Sequence, residues 1–324
     1  MKSYLDIVRN VLENGKWKKP VRRNQDGSEV VLPHDTLALP NQIFSHDMSK
    51  GFPLLTTKRM PPKTILVELE GFIHGITSKK WYQERGCKIW NEWANPLIVN
   101  NHITNMKKDG DSDIDYDKEY RLEIQKDVDD LGPIYGYQWR HFGETHDYGQ
   151  SFEELSSDST GIPTGTDQLK EIVDRLHENP YDRRMVCSAW NPNQIGQMAL
   201  PPCHYAWNIT VIGDELNLAW VQRSVDTGLG LSFNIASYGT LLLLLAKEGG
   251  FKPGNLTGLL VDCHIYSNQI DKLKEQIQRE PYSLPTLNIL DRNGKFSIFD
   301  WTHEDIELIN YKYHPKLELG EVVV

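Results

Sequence analysis

Apolar positions recur at helical spacing from the start of the chain. Tyr4, Leu5, Val8, Val11 and Leu12 share one face, which predicts a first helix closing near Gly15. Residues 19–36 are polar and turn-rich and read as a surface loop carrying Arg22 and Arg23. Thr36 to Phe44 reads as a strand and Phe52 to Thr57 as an apolar bend. Lys63 to Gly75 predicts a helix with Ile65, Leu66, Leu69, Phe72 and Ile73 on its buried side, and Leu169 to Glu178 another, closed by Asn179-Pro180. Beyond Met185 the period changes. Val186 to Trp190, Ala206 to Val211 and Leu216 to Gln222 are β-rich, the last two joined by a turn at Gly213-Asp214. Phe233 to Lys247 is a long apolar helix stopped by Gly249-Gly250, and Tyr266 to Glu280 predicts a final long helix. Helices and strands without a regular βαβ rhythm predict an α+β fold with a central sheet.

Two polar segments interrupt this pattern. Residues 101–130 form an acidic insertion, read as a solvated excursion, and 144–167 a second one. Neither has the length or composition of an interdomain linker, so residues 1–324 are expected to form a single domain. Composition adds exclusions. A chain of 324 residues that is 39% hydrophobic can bury a sizeable core. A net charge of −10 argues against a DNA or RNA surface but allows a small anionic substrate held by a few arginines. The four cysteines are too scattered for a disulfide framework, and no Cys-x-x-Cys pair suggests zinc, so no metal is expected. The N-terminus lacks a signal-peptide core. The greasiest stretch, Leu241 to Ala246, is too short to span a membrane, so a cytoplasmic location is expected.

Candidate chemistry concentrates in the second half. Leu200-Pro201-Pro202-Cys203-His204 is followed by Arg223-Ser224-Val225-Asp226, by Gly228-Leu229-Gly230 ahead of Phe233-Asn234-Ile235-Ala236-Ser237-Tyr238, and by Asp262-Cys263-His264-Ile265-Tyr266. A thiol, a cation, a hydroxyl, a carboxylate, an amide and a His/Tyr pair suit covalent chemistry on a small anionic ligand with a hydrogen-bonding ring. A thiolate adds readily to an electron-poor double bond, and Arg223 is the cation that favours ionised sulfur at Cys203. Arg183-Arg184 offers guanidinium forks that match phosphate oxygens. Asn234 falls just inside a predicted helix, where Asn is a poor helix former. Its amide either donates and accepts at a ring edge or caps the helix. His264 and Tyr266, two apart, share one face of a strand. His204 adjoins Cys203, and strand alternation places it on the opposite face, against a papain-like Cys–His protease. Taken singly, each group also fits a structural role.

Further motifs complete the picture: Thr64-Ile65-Leu66-Val67-Glu68-Leu69, Ile89-Trp90-Asn91-Glu92-Trp93, and Asp130 to His141 with Tyr135 inside it. Asn179 to Met185, Ala189-Trp190-Asn191-Pro192 and the tail from Ile309 to Val324 belong with them. Over nearly the whole chain these resemble the thymidylate synthase family, including its pyrimidine-nucleotide hydroxymethylases. The resemblance implies an α+β fold whose central mixed sheet packs against helices and presents one face to a homodimer interface. It implies dUMP as nucleotide and 5,10-methylenetetrahydrofolate as cosubstrate, with Cys203 attacking C6 of the pyrimidine.

Residue by residue, the resemblance puts Arg23, Arg223 and Ser224 at the phosphate, joined by Arg183 and Arg184 from the partner subunit. Asn234 would hold the base, His264 and Tyr266 the sugar. Asp226 would lie at the nucleotide site and grip the pterin, with Ile89, Trp90, Trp93, Leu229, Gly230, Phe233 and Val324 around the folate. Glu68 and Tyr135 would move protons. Cytosine-specific members resemble this motif with Asp in place of Asn, so Asn234 favours dUMP over dCMP. Three departures stand out. The loop that normally reads Asp-Arg-Thr-Gly is Val21-Arg22-Arg23-Asn24-Gln25-Asp26-Gly27, leaving Arg22 as an alternative to Arg23. Glu70-Gly71 replaces Leu-Trp, and Trp207-Asn208 replaces a hydrophobe and Gln. The exocyclic methylene formed on C5 accepts hydride in a synthase and water in a hydroxymethylase, so exclusion of water decides the product. Trp90 and the apolar tail favour the synthase, while Glu70, Gly71 and Asn208 are where water would enter.

Overall fold

A computed structural model of the chain describes residues 1–23, 29–108, 118–146, 165–291, 294 and 296–320. The elements run α1 (Lys2–Asn14), β1 (Lys16–Lys18), β2 (Val21–Arg23), β3 (Glu29–Val31), β4 (Thr36–Asp47), α2 (Pro62–Ile73), α3 (Lys79–Glu84), α4 (Pro96–Lys108) and α5 (Lys118–Asp127). They continue through α6 (Tyr135–His141), α7 (Gln168–Glu178), β5 (Val186–Ser188), β6 (His204–Ile212), β7 (Glu215–Asp226), α8 (Gly230–Gly249), β8 (Lys252–Tyr266), α9 (Ile270–Gln276), β9 (Thr286–Ile289) and β10 (Ile306–Ile309). The fold is α+β. Residue contacts gather the chain into two compact units, Met1–Leu66 with Val173–Val186 and Cys203–Val324, and Val67–Ile172 with Cys187–Pro202.

A mixed six-stranded sheet runs in the order β1-β4-β8-β7-β6-β5, and its strands β1, β4, β8, β7 and β6 organise the first unit. β4 runs antiparallel to β8, placing Thr36 opposite Tyr266 and Ile43 opposite Leu259. β8 runs parallel to β7, placing Ser224 opposite Asp262 and Asp226 opposite His264. β6 is antiparallel to β7, so His204 lies opposite Gln222. The start of β6 and the ends of β7 and β8 therefore meet at one end of the sheet, and α8 begins there. Tyr4, Leu5, Ile7, Val8 and Val11 bury one face of α1, which packs on β4. In α8, Leu241, Leu242, Leu244 and Leu245 are wholly buried. Its twenty residues are apolar and long enough to cross a membrane, longer than the sequence reading allowed, but 72% of the apolar window is buried within the protein, as in a core helix.

The second unit is held by an aromatic cluster in which Phe72 stacks on Tyr135 (centroids 5.0 Å apart) and meets Trp90 and Trp139 edge-on. Several expectations change. The acidic insertion carries two helices, α4 and α5, rather than a bare excursion: Val99 and Val128 are buried with Ala94, and Ile98, Ile103 and Ile124 pack around them. Its run from 109 to 117, and most of the 144–167 segment, lie outside the described residues. The polar stretch 19–36 contains the β2–β3 pair, with Val21 opposite Val31. The long helix expected over Tyr266–Glu280 shrinks to α9, because Tyr266 still pairs with Thr36 in the sheet and Ser267–Gln269 form a 3-10 turn. Trp90 sits in a turn after α3, and Trp93 directly follows that turn.

Candidate active site

Among four cysteines, three are buried, and burial pushes the Cys87 and Cys263 thiols up to about 12 and the Cys187 thiol upward as well. Cys203 alone keeps solvent access. It immediately precedes β6, where the Arg223 backbone N–H donates to its carbonyl at 2.9 Å, pinning it to β7. The Arg223 guanidinium reaches the sulfur, Nη2 to Sγ 4.0 Å, and a cation there favours the thiolate. His204, one residue on, is buried and bonded through Nδ1 to the Tyr238 hydroxyl at 2.9 Å. Burial depresses its imidazole to about 3, so it stays neutral near pH 7, as a structural side chain behind Cys203.

The end of β7 supplies the next groups. Asp226 accepts through Oδ1 from the backbone N–H groups of Gly228 and Leu229, at 2.9 and 3.0 Å, which fixes the turn into α8. Gly228 has no room for a side chain, since a Cβ would come within 2.5 Å of the Gln269 amide oxygen. At Gly230 a Cβ would meet nothing nearer than 3.8 Å, so the surface beside Asp226 and Asn234 is open. Leu229, Phe233, Ser224 and Asn234 are all partly exposed. Asn234 is the fifth residue of α8, whose N-cap is Leu229, so it is not a helix cap. Its Oδ1 accepts from Gln222 Nε2 at 3.0 Å. His264 and Tyr266 do share a face, their rings 5.2 Å apart and nearly perpendicular. The His264 imidazole, followed by Lys18, holds the Asp262 carboxyl well below its usual range. Burial, then the charges of Asp226 and Cys203, raises the Tyr266 hydroxyl. The structure thus brings Cys203, Arg223, Ser224, Asp226, Asn234, His264 and Tyr266 to one end of the sheet.

Lys58 is a member that sequence reading missed. It is buried, donates through Nζ to the Gly228 carbonyl at 2.6 Å, and lies near Asp226. Burial lowers its ammonium to about 8, with Asp226 pulling the other way. Only its place directly after the apolar Phe52–Thr57 bend hinted at burial.

Arg183 and Arg184 are exposed on the turn before β5, where Asp182, held by Arg175 at 2.7 Å, accepts from the Arg184 backbone N–H. No hydrogen bond joins them to the Cys203 group among the described residues. The side chains of Arg22 and Arg23, and all of Val324, lie outside the described residues.

In the second unit, Glu68 is crowded by protein yet keeps some solvent access. Burial raises its carboxyl to about 7, and the facing Trp90 indole offsets part of that. Trp90 and Tyr135 are buried in the aromatic cluster, their rings 6.1 Å apart, whereas Ile89 and Trp93 keep exposed surface. The Glu70-Gly71 departure has a physical explanation. A Cβ on Gly71 would lie 2.3 Å from the Tyr82 ring, so Tyr82 fills the space vacated by a side chain there. Glu70 is buried with Arg85 Nε at 3.9 Å, and that guanidinium lies over Trp81. Among the described residues, no three His, Cys, Asp or Glu side chains gather as a metal site would require.

The family model for thymidylate synthase matches residues 2–323. The chain is 37% identical over 330 residues to the thymidylate synthase of Mycoplasma pneumoniae, covering all of both proteins. The thymidylate synthase of Mycoplasma genitalium matches at the same 37% identity, again over both full lengths. A bifunctional dihydrofolate reductase-thymidylate synthase of Paramecium tetraurelia is also 37% identical, over 99% of this chain and 61% of its own.

Proposed function

The chain belongs to the thymidylate synthase family, and on that premise we propose how its residues methylate dUMP to dTMP. The reaction is a reductive methylation with a folate cosubstrate. We assign 5,10-methylenetetrahydrofolate, which supplies the one-carbon unit and then the hydride, leaving as dihydrofolate. Cys203 Sγ adds to C6 of the pyrimidine, which makes C5 a carbon nucleophile. Arg223 steadies the ionised sulfur before attack. Arg223 and Ser224, with Arg23 and the partner's copies of Arg183 and Arg184, hold the phosphate; Arg22 is the alternative to Arg23. Asn234 reads the base edge, and His264 and Tyr266 the sugar.

The residues assigned to the folate fit a flat, partly polar ring system. Asp226 borders the open surface at Gly230 through its Cβ, and Leu229 and Phe233 are partly exposed; Ile89, Trp90, Trp93 and Val324 complete this assignment. Glu68, raised to about 7, can give and take a proton at neutral pH, and Tyr135 assists removal of the C5 proton. Cys203 leaves C6 once the methyl is formed. Hydroxymethylation is not favoured: the full-length relatives are named synthases, and Tyr82 fills the corner at Gly71 where water would have entered.

The reading extends to assembly. Ile43 and Leu259 are opposite each other on neighbouring strands, with Val261 beyond, and they are 63%, 44% and 38% exposed. Such an apolar sheet face suits a second copy of the chain, so the enzyme acts as an obligate homodimer and the arginine pair serves the neighbouring site. Residues 1–324 are read as a single catalytic domain. None of the four cysteines is paired in a disulfide, which suits a reducing cytoplasm that keeps Cys203 reactive.

The observation that carries this reading is the Arg223 guanidinium at 4.0 Å from the one solvent-accessible thiol. The test is a single reaction of purified protein, dUMP and methylenetetrahydrofolate, followed by absorbance and nucleotide mass spectrometry. Dihydrofolate and dTMP should appear in step. A 5-hydroxymethyl nucleotide without dihydrofolate would overturn the synthase assignment.

A further inference from the structure

We propose that Trp220 is a positioning residue for base selection: its indole N–H sets the sense of the Gln222 amide, Gln222 sets that of Asn234, and preference for uracil over cytosine runs through this chain. The inference rests on the reading above, in which Asn234 meets the base.

Two fixed neighbours, one that can only donate and one that can only accept, set the sense of the Gln222 amide. An indole N–H only donates. Gln222 therefore turns Oε1 toward Trp220 Nε1, at 3.2 Å, and directs Nε2 the other way. A backbone carbonyl only accepts, and Ser224 O takes the same Nε2 at 3.0 Å, which enforces the same sense from a second side. Nε2 then meets Asn234 at 3.0 Å, so Asn234 must offer Oδ1. What remains for a ligand is the Nδ2 donor and the second lone pair of Oδ1. Uracil presents a matching O4 acceptor and N3–H donor. Cytosine presents an amino donor and a bare N3, which would need the Asn234 amide reversed. Reversal would set Asn234 Nδ2 against Gln222 Nε2, donor against donor, inside the protein.

The indole is held where this requires it. Trp220 is wholly buried, stacks on Tyr238 with ring centroids 5.1 Å apart and planes 9° apart, and leans on Phe44 at 5.7 Å. Its neighbour across the sheet is Gly258, where a Cβ would come within 2.4 Å of the ring. Packing alone would be met by any large apolar side chain. The N–H is the part that packing does not need. Gln222 is itself only 2% exposed, so an Oε1 deprived of its donor is left unsatisfied in the interior.

The test measures binding of dUMP and of dCMP to the full-length protein. Wild type should prefer dUMP strongly. Trp220→Phe keeps a ring in the stack but removes the donor, and should lower that preference about tenfold, the Ser224 carbonyl retaining the rest. Replacing Trp220 with 3-benzothienylalanine, an isostere lacking the N–H, should do the same if the Phe variant folds poorly. Phe44→Leu loosens the same stack and leaves the N–H in place, so it should cost stability without moving the ratio. An unchanged dUMP/dCMP ratio in the benzothienyl protein would overturn the inference. Failure of wild type to bind dUMP would instead overturn the nucleotide reading.

Discussion

Replacing Glu68 by Gln should change how stability depends on pH, with a sign opposite to that of most carboxylates. Burial raises the Glu68 carboxyl from 4.5 to about 7 in the folded protein. Between those values the folded state holds a proton that the unfolded chain has released. The contribution is therefore fully present below about pH 4.5 and lost as pH rises through about 7. The shift corresponds to at most about 3 kcal/mol, an upper bound because the carboxyl keeps some solvent access. An amide at this position does not titrate and has no such dependence. The difference in melting temperature, variant minus wild type, should grow between pH 5 and pH 8, by about 4 °C if the full shift is realised. Differential scanning fluorimetry across that range measures it, with the pH profile of kcat/KM in parallel, where the wild-type inflexion near 7 should vanish in the variant. A difference in melting temperature that stays flat from pH 5 to pH 8 would refute both the burial of Glu68 and its readiness as a proton carrier.

Three further outcomes follow from the geometry. Gly71→Ala should cost about 1–3 kcal/mol by thermal melting, since its Cβ would clash with the Tyr82 ring; in a Tyr82→Ala background the same change should cost little. Arg223→Ala should slow alkylation of Cys203 by iodoacetamide at pH 7 about tenfold, with partial recovery in Arg223→Lys; equal rates would remove the guanidinium from the account of the nucleophile. Leu259→Asp buries an unpaired charge at the proposed subunit interface and should leave monomers in sedimentation velocity, whereas an unchanged dimer would move the interface elsewhere.

Much of the side-chain cluster at the end of the sheet was legible because its groups are written in short local motifs. Cys203, Arg223, Asp226, Asn234 and His264 fall at strand and helix ends that period and turn signals could place. What the sequence concealed depended on contacts between distant segments. Lys58 looked like any lysine beside a bend, and only the fold buries it against Gly228. β8 was recognised only at its end, because Pro253, Gly254 and Gly258 break the strand pattern, yet Gly258 is there to admit the Trp220 ring. The helical spacing of Ile270, Leu273 and Ile277 is real, but pairing of Tyr266 in the sheet delays the helix by several residues. The acidic insertion read as solvated because its apolar positions are sparse, and Ile103, Ile124 and Val128 find their cluster with Ala94, Ile98 and Val99 just ahead of it. The Gly71 departure seemed to open a gap, and local sequence gave no sign that Tyr82, eleven residues away, closes it.

The most direct test of covalent catalysis is peptide-mapping mass spectrometry of the enzyme denatured during turnover with dUMP and methylenetetrahydrofolate. A nucleotide-bearing adduct should appear on the peptide containing Cys203 and be absent from Cys203→Ser, which should form no dTMP. Turnover by that variant, or an adduct carried by Cys87, Cys187 or Cys263, would contradict the account.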